Sequence, residues 1–264
     1  MYPNLGKLLF FFVLFSLGAC SNYNKLLKSN DAELKYTESK KLFEKKQYQK
    51  ASPLLDDLIV RFKGDRRFEE VYFMYAQCKY ELREIAMAGF HFKNFHESFP
   101  SSTRAEEALY LFVMCSYQES YPYYLDPEST QKAIDNFQLF INLYPQSAKV
   151  TTCNDYMDEL RGRLRKKAYL TAKLYMKMED YKAAIIAFNN TLKDFPELEN
   201  KEEVAYLIVK CNYDMASNSV EYKKKERYEE VLKSFNQYKD EYGSKGKYFL
   251  AAQALNDKAQ KLLK

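Results

Sequence analysis

Between Ala168 and Pro196 the chain reads AYLTAKLYMKMEDYKAAIIAFNNTLKDFP, with small and aromatic residues at helical spacing on both sides of a short polar break. Ala168, Ala172 and Tyr175 mark one face of a first helix, and a turn is expected at Met178 to Asp180. Tyr181, Ala184, Phe188, Thr191 and Phe195 then follow three or four residues apart, which places them on one face of a second helix that Pro196 ends. The alanines let two backbones approach closely while the aromatics fill the groove towards the next pair. The same second-helix stripe returns as Ala51, Leu55, Leu58, Phe62, as Ala88, Phe92, Phe95, Phe99, as Ala133, Phe137, Phe140, Tyr144, and as Val231, Phe235, Tyr238, Tyr242. Each stripe stops at Gly64, Pro100, Pro145, Pro196 or Gly243, residues that cannot continue a helix.

Five registered stripes predict five helix pairs. The first takes Leu34 to Lys46 with Tyr48 to Lys63, and the second takes Arg67 to Arg83 with Ile85 to Phe99. The third pairs Thr103 to Gln118 with Thr130 to Tyr144 across the loop SYPYYLDPES. The fourth has a long first helix, Asp155 to Met178, and the fifth pairs Glu202 to Ala216 with Lys224 to Tyr242 across a lysine-rich connection. A last helix, Lys247 to Lys264, carries Phe249, Ala252 and Leu255 on one side and caps the array. No segment alternates with period two between hairpin turns, so the chain is read as all-α.

These units resemble the tetratricopeptide (TPR) repeat. Their final aromatics are 37, 45, 51 and 47 residues apart, more than the 34 of an ideal TPR unit, so insertions are expected in or before the first helices. The resemblance implies a right-handed superhelical array of about five TPR-like helix pairs over residues 33–264, plus the capping helix, with the first helices lining a concave face. Tyr72, Tyr75, Tyr80, Tyr110 and Tyr117 lie on first helices. They are candidates for a groove that holds an extended substrate peptide, since rigid amphipathic rings give contact area at low entropy cost; packing between repeats is the alternative.

The N-terminus changes the picture of where the array works. Residues 1–19 carry one lysine, Lys7, and the apolar run LLFFFVLFSLGA, shorter than the roughly 20 residues a spanning helix needs. This reads as a signal peptide. Leu17-Gly18-Ala19-Cys20 resembles the bacterial lipobox, in which the cysteine is acylated and becomes the new N-terminus; an ordinary signal peptide cut near Ala19 is the alternative. Residues 20–32 are polar and suit a tether from a lipidated Cys20. With no acidic residue directly after the cysteine, a periplasm-facing position is expected.

Charge and chemistry add mainly exclusions. Lys and Arg number 41 against 36 acidic residues, for a net charge of +5, and this mixed surface is not a nucleic-acid balance. Cys78, Cys115, Cys153 and Cys211 show no CxxC spacing and read as buried thiols on apolar helices. His91 and His96, five residues apart on one helix, point about 140° apart and read as solvated residues that do not share a metal. No phosphate loop, nucleophile elbow or zinc signature occurs. The expectation is a non-enzymatic protein with no cofactor and no metal.

From Leu125 to Pro196 the sequence is similar to one TPR family, the BamD family of outer-membrane protein assembly factors. The features that carry the likeness are Asp126-Pro127 opening the insertion, Leu143-Tyr144-Pro145-Gln146-Ser147, the long helix with Leu160-Arg161-Gly162-Arg163-Leu164, Ala172 with Tyr175, and Leu192-Lys193-Asp194-Phe195-Pro196. Lys223-Lys224-Lys225 departs from the family pattern. The resemblance implies an outer-membrane lipoprotein facing the periplasm, which docks on the POTRA domains of a BamA-like barrel subunit and receives unfolded barrel precursors. On the long helix, Met157, Leu160 and Leu164 form an apolar stripe bordered by Arg161 with Arg165 and by Arg163 with Lys167. That strip either packs on the third repeat or docks a partner, and the resemblance favours docking through Arg161, Arg163, Leu164 and Arg165. Another periplasmic TPR scaffold lipoprotein, acting in envelope or division control, is the competing reading. A SusD-like glycan binder fits less well, since sugar platforms lean on tryptophan and the chain has none.

Overall fold

The computed structural model describes residues 22–264; the expected leader and Cys20 lie outside them. The described residues form helices and no strands. They fall into two compact units, 22–120 with 131–157 and 121–130 with 158–264.

The first unit begins with α1 (22–28), followed by α2 (Ala32–Glu44), α3 (Tyr48–Arg61), α4 (Phe68–Glu81), α5 (Ile85–Ser98) and α6 (Ala105–Glu119). It also holds most of α7 (Glu128–Leu143) and the start of α8 (Val150–Lys177). Ala51, Leu55, Leu58 and Phe62 of the first stripe pack with Val71, Met74 and Cys78 of α4. Ala88, Phe92 and Phe95 of the second pack with Phe73 and Ala76 of α4 and Ala108 and Cys115 of α6. Each first helix thus closes the core of its own pair and of the preceding one. Gly89 marks the tightest approach, because a Cβ there would sit 3.1 Å from Cys115 Cβ.

The second unit holds the rest of α8, then α9 (Tyr181–Asp194), α10 (Lys201–Ser217), α11 (Glu221–Tyr242) and α12 (Phe249–Leu262). Ala172, Ala184 and Phe188 pack with Val204, Leu207, Ile208 and Cys211 of α10. Val231, Phe235 and Tyr238 of α11 pack with Val209 of α10 and with Ala252 and Ala259 of α12.

Two turns recur. Lys46, Arg83 and Glu179 take φ of 55°, 63° and 62°, and each begins the tight turn inside a helix pair. In each case the amide of that residue bonds the carbonyl three back, and the next amide bonds the carbonyl five back: Lys46 to Phe43 with Gln47 to Leu42, Arg83 to Tyr80 with Glu84 to Lys79, Glu179 to Met176 with Asp180 to Tyr175. This is the Schellman closure, which satisfies the last carbonyls of a helix at the cost of one left-handed residue. Between pairs, Asp65, Ser102 and Ser147 accept from the amides of Arg67, Arg104 and Lys149 through their side chains, closing a side-chain turn two residues long just before the next first helix.

Several boundaries differ from the sequence reading. Part of the expected tether is α1, fixed by Tyr23 Oη donating to the Lys50 carbonyl at 2.8 Å. Helix α7 starts inside the expected loop because the amide of Glu128 donates to Asp126 Oδ1 at 2.8 Å, with Pro127 tolerated at the helix entrance. Helix α8 runs 28 residues, about 42 Å. The lysine run lies inside α11, where Lys224 pairs with Glu221 at 2.8 Å.

Candidate functional site

The arginine-bearing strip of α8 is built differently from the expectation. Met157 and Leu160 are 1% and 0% exposed, so two of the three apolar side chains belong to the core and are not a free docking stripe. Leu164 is half-buried. The arginines are held by acids of the same chain: Arg161 by Asp158 at 3.2 Å, Arg163 by Glu159 at 2.7 Å and Arg165 by Glu197 at 3.3 Å. Asp158, Arg161, Arg165 and Glu197 line one cavity of about 460 Å³, a balanced set of charges that a partner carboxylate could enter only by exchanging pairs.

The insertion loop is strapped to α8. Lys167 Nζ donates to the Leu125 carbonyl at 2.7 Å, and Lys166 Nζ sits 4.2 Å above the Tyr123 ring. The strap leaves Tyr121, Tyr124 and Leu125 53%, 67% and 46% exposed. Large apolar side chains clustered on one fixed loop are unusual for a surface with no partner. In the sequence this loop stands only as an interruption of the third pair; the readable signal of the exposed cluster is four aromatic or leucine side chains within five residues, Tyr121, Tyr123, Tyr124 and Leu125.

The groove tyrosines are corrected in part. Tyr72 and Tyr75 are 9% and 5% exposed and are core residues, not groove contacts. Tyr72 Oη lies 3.2 Å from His91 Nδ1, and the Tyr75 ring packs edge-on against the same imidazole. Tyr80, Tyr110 and Tyr117 are half-buried; the first two pack edge-on against Phe92 and Phe140, and Tyr117 lies tilted against Tyr156. The first-helix surface opens instead at a cavity of about 340 Å³ lined by Lys40, Phe43, Phe73, Met74, Gln77 and Arg104, among others. Lys40 and Gln77 each directly follow the small first-helix residue, Ser39 or Ala76, and that offset was the readable signal. The Arg104 guanidinium lies over Phe73 at 5.1 Å, while Lys40 bonds Glu70 at 2.8 Å. The cavity thus combines an apolar floor with charged walls.

Glutamate pairs at the starts of α4 and α10 tie neighbouring first helices. Glu70 accepts from Tyr36 Oη and Lys40, and Glu203 accepts from Tyr169 Oη at 2.7 Å with Lys173 at 3.7 Å. Burial pushes both carboxyls up, yet the tyrosine and lysine hydrogen bonds hold each below the usual glutamate range. Glu69 and Glu202 receive the hydroxyls of Ser102 and Tyr238, both at 2.6 Å. The sequence signal for these ties is the doubled glutamate at a first-helix start, Glu69-Glu70 and Glu202-Glu203.

His91 is buried, contrary to the expectation of a solvated side chain, and its Nε2 has no hydrogen-bond partner. Burial, then the charge of Lys79, pushes its pKa down against the opposing pull of Asp56. His96 is half-buried and its Nδ1 lies 3.2 Å from the Ala105 carbonyl. The four cysteines are free and buried, and burial pushes the thiols of Cys78, Cys115 and Cys211 up to about 12 and that of Cys153 to about 11. Among the described residues no helix is long and apolar enough to cross a membrane, and no cluster of His, Cys, Asp and Glu could hold a metal ion.

Tandem antiparallel helix pairs with alternating small and aromatic packing define an all-α protein of TPR-like repeats. The family model of the YfiO outer membrane lipoproteins matches residues 28–228, and the chain belongs to that family, the BamD family. No curated protein matches it. Solved structures similar to the chain include the TPR domain of P58(IPK), at 14% identity and a TM-score of 0.42, covering 91% of this chain and 67% of that one. Another is the TPR2AB domain of yeast Sti1 in its pHSP90 complex, at 14% identity and a TM-score of 0.39, covering 87% of this chain and 98% of that one.

Proposed function

We propose that the protein is a non-enzymatic lipoprotein subunit of the outer-membrane β-barrel assembly complex. Acylated at Cys20, it is held on the periplasmic side of the outer membrane, docks on the POTRA domains of a BamA-like barrel subunit and receives unfolded outer-membrane protein precursors. The observation that carries this reading is the family match over residues 28–228, which takes in the repeats from α2 to the start of α11.

The surfaces of the two units support a division of labour. In the first unit, the cavity lined by Phe43, Phe73 and Met74 with Lys40, Arg104, Glu44, Glu70 and Glu107 offers apolar contact and charged groups of both signs to an extended chain. In the second, the exposed Tyr121, Tyr124 and Leu125 of the loop held by Lys166 and Lys167 offer apolar contact to a folded partner, and Arg161 and Arg165 of the same helix offer guanidinium groups. A photo-crosslinker at Gln77 tests the first assignment and one at Tyr124 tests the second. The expected products are an unfolded precursor from Gln77 and a POTRA-containing protein from Tyr124. Neither product from either position would remove the assignment.

A further inference from the structure

Helix α1, the α2–α3 turn and the start of α3 carry lysines that nothing described so far uses. Lys25, Lys45, Lys46 and Lys50 are exposed, and none has an ion-pair partner among the described residues. Lys35, Lys40 and Lys41 of the same helix pair, by contrast, bond Asp57, Glu70 and Glu38. Helix α1 is fixed beside this turn, because Tyr23 Oη bonds the Lys50 carbonyl at 2.8 Å and Lys50 Nζ lies 6.0 Å from the Tyr23 ring. Asn22, two residues after Cys20, is therefore held at the turn, and two residues of chain reach at most about 7 Å. An acyl anchor on Cys20 brings the membrane surface to these lysines.

Beneath α1 is a cavity of about 540 Å³, lined by Tyr23, Lys25, Leu26, Leu34, Leu42 and Lys50 among others. A second, of about 360 Å³, is lined by Lys46, Gln47, Tyr48, Gln49, Lys50 and Leu82. The first cavity sets leucine side chains among lysine ammonium groups, and its one carboxylate, Glu38, is already paired with Lys41 at 2.7 Å; this combination matches one ligand chemistry, a phosphate headgroup with apolar chain attached.

We propose that the α1 and α2–α3 turn surface is a binding site for anionic phospholipid, with Lys25, Lys45, Lys46 and Lys50 on headgroup phosphates and Leu26, Leu34 and Leu42 against the glycerol and first acyl carbons. The inference rests on acylation at Cys20 as proposed above. One lipid group holds a protein weakly and a second signal makes the attachment durable; the patch also fixes which end of the first unit faces the bilayer.

The test uses the full mature lipoprotein in vesicles. Gln47 makes no side-chain capping bond and is exposed, so Gln47→Cys accepts an environment-sensitive fluorophore, while the four native thiols are buried and protected by their raised pKa values. Vesicles of pure phosphatidylcholine are compared with vesicles containing phosphatidylglycerol, each with a headgroup-level nitroxide quencher. In the phosphatidylglycerol vesicles the probe should be quenched at least twofold more. Molar salt, which shrinks the Debye length to about 3 Å, should remove the difference. Reversing Lys45, Lys46 and Lys50 to glutamate should also remove it, each lysine being worth about a fivefold change in affinity for an anionic surface. A chain that floats with both vesicle types but shows equal quenching overturns the patch and leaves the anchor standing. A chain that floats with neither overturns the anchor and the patch together.

Discussion

His91 shows how a single buried group sets a condition-dependent weakness. Neutral, it leaves Nε2 unpaired in the core; protonated, it must place a charge there. Its folded pKa lies below the unfolded value near 6.5, so the unfolded chain takes up the proton first. Stability is then unaffected above that pH and falls as pH drops below it. The melting temperature should decline between pH 7 and pH 5.5, and His91→Phe should flatten that decline; parallel slopes in the two proteins would reject the assignment. A second residue-scale prediction concerns the left-handed turn. Glu179→Gly removes the Cβ clash at φ 62° and should raise stability by up to about 1 kcal/mol in a denaturant melt, whereas Glu179→Ala should gain nothing. The turn was legible at Met178 to Asp180 from the polar break between two stripes. The burial of His91 was not, since a histidine among Phe90, Phe92 and Phe95 has the spacing of either face.

Helices are where the sequence could be read best, and their ends are where it misled. All five second-helix stripes place their small and central aromatic or leucine residues in the core, because periodicity of three and four is itself the signature of one buried face. Helix α8 starts five residues earlier than expected because burial of Cys153 outweighs the low helix propensity of Thr151 and Thr152. Residues 22–28 are helical through a tertiary bond from Tyr23, and no local pattern encodes that bond. Phe188, fully buried between α9 and α10, should cost about 3–5 kcal/mol when cut to alanine. Because α10 shares that core, circular dichroism and amide exchange should show α9 and α10 loosening together. An unchanged melting point would mean the stripe is not a core. Acidification acts on α4 and α10 through Glu70 and Glu203. Their folded pKa values are depressed, so the ties they make are present above the unfolded pKa near 4.5 and are lost as pH falls through the folded values.

At the scale of the whole molecule, the family likeness and the repeat pattern together point to a scaffold that works by holding partners. The candidate site was only partly legible. Arg161 and Arg165 were found, but periodicity marks Met157 and Leu160 as apolar without saying whether a neighbour already covers them. The exposed loop tyrosines were passed over because proline-rich insertions carry no helical register. Substituting Tyr121 and Tyr124 with serine should abolish binding to the barrel subunit with little change in melting temperature, since both side chains stand in solvent. Reversing Arg161 and Arg165 to glutamate should also weaken binding, and it should lower the melting temperature slightly because each new carboxylate faces Asp158 or Glu197. The most direct measurement is a pull-down of the tagged, acylated chain from gently solubilised membranes. The account predicts recovery of a POTRA-containing barrel protein from the wild type and its loss from the Tyr121 and Tyr124 double variant. Recovery of other envelope proteins with no barrel subunit would contradict it.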